Sequence, residues 1–233
     1  GGTEAVLDTF HAVPQFIHIS TSSVYDMTKP TLRINEDAIL PQSHEDAYSQ
    51  TKMLSERAVE QRRANAVVLR PHAIYGPIDR TVLVRLRRAR RFGRQLAIGN
   101  GRNRISLTHV ANLSHAVECA LSAPNGYHVF NVADATESTL DETLRQLASA
   151  FGFNPRVVYI PTGLAMGLAT VLERAYQLLR RPKPPFITRY IASRVGVEFT
   201  LDIAKAQREI GYTPRQTYAT AFAEMAALVA PKA

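Results

Sequence analysis

A single cysteine, Cys119, stands among 233 residues. It cannot close an internal disulfide, so nothing in the sequence calls for an oxidising compartment. No basic stretch leading into an apolar run opens the chain, which leaves no visible secretory signal. No run reaches the ~20 apolar residues that cross a bilayer. The longest candidate, 157–172, is interrupted by Pro161, Thr162 and Gly163. The histidines lack metal-ligand spacing and read as structural or surface groups. There is no internal repeat and no low-complexity tract. Gly1-Gly2-Thr3 opens without a methionine, so the expectation is a piece of a longer reading frame, or a chain from which something was removed. What is present is ordinary globular material: an apolar fraction of 45%, enough for one large domain or two small ones. The cytoplasm is the expected compartment.

The formal charge of +8 is concentrated over residues 80–94, where Arg85, Arg87, Arg88, Arg90, Arg91 and Arg94 crowd together. A basic run can meet nucleic acid or anionic lipid. Here Val82, Leu83, Leu86, Ala89 and Phe92 lie near helical spacing, and the expectation is an amphipathic helix with a solvated basic face. No aromatic platform or recognition motif accompanies it, so no nucleic-acid partner is expected.

Residues 2–12 read as a helix broken by Pro14. Phe16 to Ile19 is a short β-forming apolar run, a buried-strand pattern, and it leads into Ser20-Thr21-Ser22-Ser23. A loop with Lys29-Pro30 and Pro41 follows. Residues 45–65 are helical in character, and Ala66 to Leu69 is a second buried strand ending at Arg70-Pro71. Strand, helix and strand at this spacing form a βαβ unit, which implies a parallel sheet. Beyond Gly76-Pro77 a strand and helix are expected over 106–123, a strand over 127–132, and a helix over 139–151 capped by Ser138 or Thr139. Val157 to Ile160 is strand-like. Leu164, Leu168, Val171, Leu172, Ala175, Leu178 and Leu179 fall on one helical face, ended by Pro182, Pro184 and Pro185. A helix over 202–210 closed by Gly211, and a terminal helix packed through Phe222, Met225, Leu228 and Val229, complete the reading.

Tyr48 and Lys52 lie four residues apart on the second expected helix and share a face. A phenol, with a pKa near 10, is a poor proton carrier at neutral pH. A nearby ammonium stabilises the phenolate and makes such a group usable for general acid–base work. The pair alone is weak, and an exposed helix pair without a role is the plain alternative. Its context is stronger: the hydroxyl cluster ends one expected parallel strand and Arg70-Pro71-His72 ends the next. Ligands gather outside the carboxyl ends of such strands.

The ordered series FIHISTSSVYD, AYSQTK, VVLRPHAIYGP and LTHVANLSHAV resembles the extended short-chain dehydrogenase/reductase superfamily, also known as NAD-dependent epimerase/dehydratase proteins. Order and spacing agree from Gly2-Thr3 to Tyr212-Thr213-Pro214. The resemblance implies an enzyme whose cofactor is NAD or NADP. It makes Tyr48 the acid/base, Thr21 the hydroxyl that orients the substrate oxygen, and Lys52 the group that holds the nicotinamide ribose and tunes the tyrosine. Ser20, Pro71, His72 and Ala73 then join Tyr48 and Lys52 on the cofactor side. The backbone after Pro71, more than the His72 ring, is expected to meet the carboxamide. The family's Gly-rich turn, which cradles the pyrophosphate, has no counterpart here. The implied fold is therefore an α/β Rossmann-type parallel sheet lacking its N-terminal strands, with a smaller C-terminal α/β substrate domain. Residues 1–75 form the remaining dinucleotide-binding part and 76–233 mainly the substrate domain, with about 106–133 returning to the first. Weak or absent NAD(P) binding is expected of the chain alone.

Within the superfamily, Arg104 to Val110 lacks the Arg-Asp-aromatic run of sugar-nucleotide enzymes, and Ser22-Ser23 replaces the Asp-Glu of dehydratases. The apolar helix with Glu173, then Pro184 to Arg189, then LDIAKAQREIGYTP, is similar to the 3β-hydroxysteroid dehydrogenase branch. That implies hydride transfer at a secondary alcohol, with a sterol-like alcohol as substrate. A sugar-nucleotide epimerase, or a non-catalytic interaction protein of this fold, is the alternative. Peripheral membrane contact and a homodimer are further partners the reading admits.

Overall fold

Four apolar residues in a row, Ala66-Val67-Val68-Leu69, make a strand only if both faces of its sheet are covered. The computed structural model, which describes residues 1–77, 90–91, 94–135, 137–152, 156–181, 185 and 187–229, shows that they are. Flanked by β1 (Phe16–Ile19), β2 (Thr31–Ile34) comes next in the chain, and the strand in question is β3 (Ala66–Pro71). β3 runs parallel to β1 on one side and to β9 (Tyr127–Val132) on the other. Ala66 and Val68 face Leu7 of helix α1 (Gly2–Thr9) and Val59 of α2 (Ala47–Arg62). Val67 and Leu69 face Leu113, Ala116 and Ala120 of α3 (Val110–Ala120), together with Ile210 and Tyr212. The two-residue period of a strand thus sends alternate side chains to two helical layers.

β1 corrects its expectation of full burial. Its residues are only half-buried and Ile19 is exposed, because among the described residues β3 alone pairs with it.

A second sheet has the order β10 (Ser138–Thr139), β7 (Arg104–Ile105), β12 (Phe199–Leu201), β2. β2 was expected as loop, since Thr31-Leu32-Arg33-Ile34 has no strong strand pattern of its own. It is made a strand by tertiary pairing: Phe199 aligns with Thr31 and Leu201 with Ile34, across a bulge where Arg33 takes φ 51 and donates its N–H to Thr200 Oγ1 at 2.8 Å. A third sheet joins β11 (Arg156–Ile160) in parallel to β6 (Arg94–Ile98), with β5 (Arg90–Arg91) antiparallel at its edge. The basic helix expected over 80–94 is corrected at its last residues: Arg90 and Arg91 are extended and pair with β6, and Arg94 pairs with Arg156 of β11. Residues 78–89, 92 and 93, which carry the rest of that expectation, lie outside the described residues. Finally β4 (Ile74–Tyr75) pairs with β8 (Thr108–His109).

Helix α4 (Leu140–Ala150) begins with a reciprocal cap, Thr139 Oγ1 accepting from Glu142 N while Glu142 accepts from Thr139 N. Helix α5 (Thr162–Leu178) packs through its small residues and not through its leucines. Ala165 and Ala169 are its buried face, against Ile98, Ile187 and Ala192 of α6 (Arg189–Val195). Leu164, Leu168, Val171, Leu178 and Leu179 are exposed. Small side chains let the two helices approach, which a leucine face would prevent. Val171→Gln is accordingly expected to change stability by no more than about 0.5 kcal/mol. Ala169→Leu, forced into a filled site, should cost about 1–3 kcal/mol in urea unfolding. In α7 (Ala204–Ile210) the end is set by Gly211 at φ 66. In α8 (Tyr218–Val229), Phe222 and Met225 are buried but Leu228 is exposed, a correction to the expected stripe; the Val229 side chain lies outside the described residues.

Candidate active site

Asp46 fixes where helix α2 begins. Its Oδ1 accepts the Ser49 N–H at 2.8 Å, so α2 starts at Ala47 and Tyr48 falls in the first turn. Tyr48 is 52% exposed, and its hydroxyl makes no hydrogen bond among the described residues. One turn later, Lys52 reaches the carboxyl end of β1, where Nζ donates to the Ile19 carbonyl at 2.9 Å.

The chain after Ile19 stays at that edge. Ser20 donates its N–H to the Leu69 carbonyl at 2.8 Å, while its buried Oγ has no partner among the described residues. Thr21 is buried and extended, and its Oγ1 accepts the Ser23 N–H at 3.2 Å to start the short 3-10 turn Ser22–Val24. Ser22 is wholly buried, and its Oγ lies 2.6 Å from His72 Nδ1. Pro71 is the buried last residue of β3. His72 follows, its ring 5.2 Å from that of Phe199. Ala73 is exposed and takes φ 42, an unusual conformation for a residue with a side chain and one found preferentially at ligand clamps.

Thr21, Ser20, Lys52, Pro71 and His72 are thus gathered at the carboxyl ends of two adjacent parallel strands, with Tyr48 on the first turn of the helix that packs on the Ser22–Val24 turn. The His72 peptide is already engaged: its N–H donates to Thr108 Oγ1 at 3.1 Å and its carbonyl lies 2.8 Å from the same hydroxyl. Burial, reinforced by the charge of Arg194, pushes the His72 imidazole down to about 4, so it is neutral at pH 7. An unsatisfied buried Ser20 hydroxyl, a free phenol and a left-handed backbone at Ala73 fit a planar polar ring resting across these strand ends. Among the described residues no group of acidic, histidine or cysteine side chains could hold a metal.

Sequence reasoning missed the groups that hold this edge together. Arg70 is buried and binds Glu56 of α2 through two hydrogen bonds, Nε to Oε1 at 3.1 Å and Nη2 to Oε2 at 2.6 Å. Its Nη1 donates to the Tyr25 hydroxyl at 2.9 Å, which donates to Asn131 Oδ1 at 2.8 Å. The available signal was a charged residue closing an apolar strand. Arg194 of α6 donates to Asp46 Oδ2 at 3.0 Å, tying a helix of the C-terminal part to the cap of α2. Asp134, whose carboxyl is raised by burial, collects the His109 N–H, the Asn112 amide and the Tyr75 hydroxyl.

Similarity to known proteins runs along the same lines. In the solved structures, a UDP-glucuronic acid 4-epimerase from Bacillus cereus, in complex with NAD, superposes with a TM-score of 0.70 at 18% identity, over 97% of this chain and 65% of that one. This is a Rossmann-type neighbour, and it shows the fold. A 3beta-hydroxysteroid-dehydrogenase/decarboxylase isoform from Arabidopsis thaliana is 29% identical over 91% of this chain and 53% of its own length. A 4-hydroxy-2-methyl-3-oxo-4-farnesyl-3,4-dihydroquinoline-1-oxide ketoreductase from Stigmatella aurantiaca is 30% identical over 93% of this chain and 66% of its own length. The chain thus spans between about half and two thirds of these relatives. Residues 1–127, more than half of the chain and including Ser20, Thr21, Tyr48, Lys52, Pro71, His72 and Ala73, match the model of one family. The chain belongs to the 3-beta hydroxysteroid dehydrogenase/isomerase family.

Proposed function

We propose that the protein is an NAD(P)-dependent oxidoreductase acting between a secondary alcohol and its ketone, of 3β-hydroxysteroid dehydrogenase type. The observation that carries this reading is Lys52 anchored on the Ile19 carbonyl, with the unpartnered Tyr48 hydroxyl one turn before it and Thr21 two residues past that carbonyl. When bound, the nicotinamide supplies the hydride acceptor or donor. Tyr48 takes or returns the hydroxyl proton at its phenolic oxygen. Thr21 orients the reacting oxygen. The Lys52 ammonium stabilises the phenolate and binds the ribose, while Ser20, Pro71, His72 and Ala73 line the nicotinamide side. The C-terminal part, roughly 76–233, supplies the substrate side, and relatives named for steroid and farnesyl-quinoline ketones support an apolar substrate.

The test is isotopic. The protein expressed from its whole reading frame, given cofactor deuterated at nicotinamide C4 and a 3-ketosteroid, should place deuterium on the carbinol carbon. The sugar-nucleotide epimerase reading predicts instead inversion of a UDP-sugar with no net cofactor consumption. The absence of both reactions would overturn the oxidoreductase reading.

A further inference from the structure

The His72 ring is held from three sides. Ser22 Oγ meets Nδ1 at 2.6 Å, the Phe199 ring lies 5.2 Å away, and the Thr108 hydroxyl engages both the N–H and the carbonyl of its peptide. Nε2 makes no hydrogen bond among the described residues and, unlike that of His109, is not among the buried atoms left without a partner. It is therefore the open end of a fixed ring.

Which nitrogen carries the proton follows from Ser22. That residue is fully buried and, among the described residues, His72 Nδ1 is the single partner of its hydroxyl. A hydroxyl has one hydrogen to donate. With a proton on Nδ1, the ring would donate to Ser22 Oγ and leave the serine hydrogen buried without an acceptor, a loss of about 1–3 kcal/mol. With Nδ1 bare, Ser22 donates to it and nothing is orphaned. The imidazolium fails for the same reason, and Arg194, on the C-terminal side of the cleft, repels it further.

We propose that Ser22 locks His72 as a neutral Nε2–H donor aimed at a carbonyl oxygen bound at the strand ends. This rests on the oxidoreductase reading for what occupies the cleft, and the carbonyl is either the nicotinamide carboxamide or the substrate ketone. It gives the ring a positioning role that the His72 backbone cannot take, since Thr108 already holds it.

Nitrogen-15 NMR of the protein expressed from its whole reading frame, with His72 assigned through His72→Gln, tests it. His72 should show one neutral tautomer, protonated at Nε2, from pH 8 down to about pH 5, consistent with its depressed value of about 4. Ser22→Ala should release a mixture of both tautomers. A proton on Nδ1, or an imidazolium at pH 6, overturns the proposal. Millimolar NAD that shifts the Nε2 signal where ADP-ribose does not identifies the carboxamide; cyclohexanone alone shifting it identifies the substrate carbonyl. Neither probe moving His72 while NAD moves Lys52 overturns this proposal alone. NAD that moves neither Lys52 nor His72 overturns it together with the oxidoreductase reading.

Discussion

Tyr48→Phe should lower turnover by roughly 10²–10⁴-fold, the usual contribution of a positioned acid/base, with cofactor affinity largely kept. The substitution is clean for a structural reason. The Tyr48 side chain is half exposed and its hydroxyl has no hydrogen-bond partner among the described residues. Removing that oxygen orphans no buried group, so the melting temperature should barely move. Both kcat and kcat/KM should fall together, because the proton is transferred only in the transition state. Lys52→Met makes the contrast. It deletes the bond to Ile19 O that ties α2 to β1, so affinity and turnover should fail together. A Tyr48→Phe enzyme that turns over at the parent rate would remove Tyr48 from the chemistry.

The candidate site was legible in the sequence because its parts are local. Tyr48 and Lys52 share a helix face, Thr21 follows a strand of strong β-formers, and Pro71 closes another. Each needs only the period of one element and the direction of one parallel sheet. The strands at 127–132 and 156–160 were legible for the same reason. What could not be read were features decided by distant partners. Thr31–Ile34 is extended because Phe199–Leu201 lies beside it. Arg94–Ile98 is extended because Arg156–Ile160 lies beside it, although Arg94 closes a run that looks helical in isolation. Which face of α5 packs could not be read, because periodicity marks an apolar stripe without saying which side is buried; close approach of α6 selected the alanines. The Ser22–His72 pair was invisible since 50 residues separate its members.

Glu56→Ala is expected to cost about 3–5 kcal/mol of stability, the usual penalty for stripping one partner from a buried ion pair. Glu56 and Arg70 are 3% and 4% exposed. A guanidinium in that setting needs its fork filled: two bonds go to Glu56 and a third to Tyr25. Burial raises Tyr25, which stays a neutral phenol and passes its proton bond to Asn131. Asn131 in turn donates to the carbonyls of Ile34 and Asp202 at 2.9 and 3.2 Å, linking the central parallel sheet to the second sheet. The cost therefore comes from the whole network and not from one contact. Arg70→Lys should also be severe, because a single ammonium cannot reproduce the two-pronged bond to Glu56. Glu56→Leu combined with Arg70→Met should recover much of the loss, since that pair leaves no bare charge and keeps the volume filled. Urea unfolding of the two single variants and the double one measures the coupling directly. A Glu56→Ala protein within about 1 kcal/mol of the parent would show that water reaches Arg70. Because Arg70 sits two residues before His72 on the same chain segment, the destabilised variants should also lose the single Nε2–H tautomer, coupling the scaffold to the site it carries.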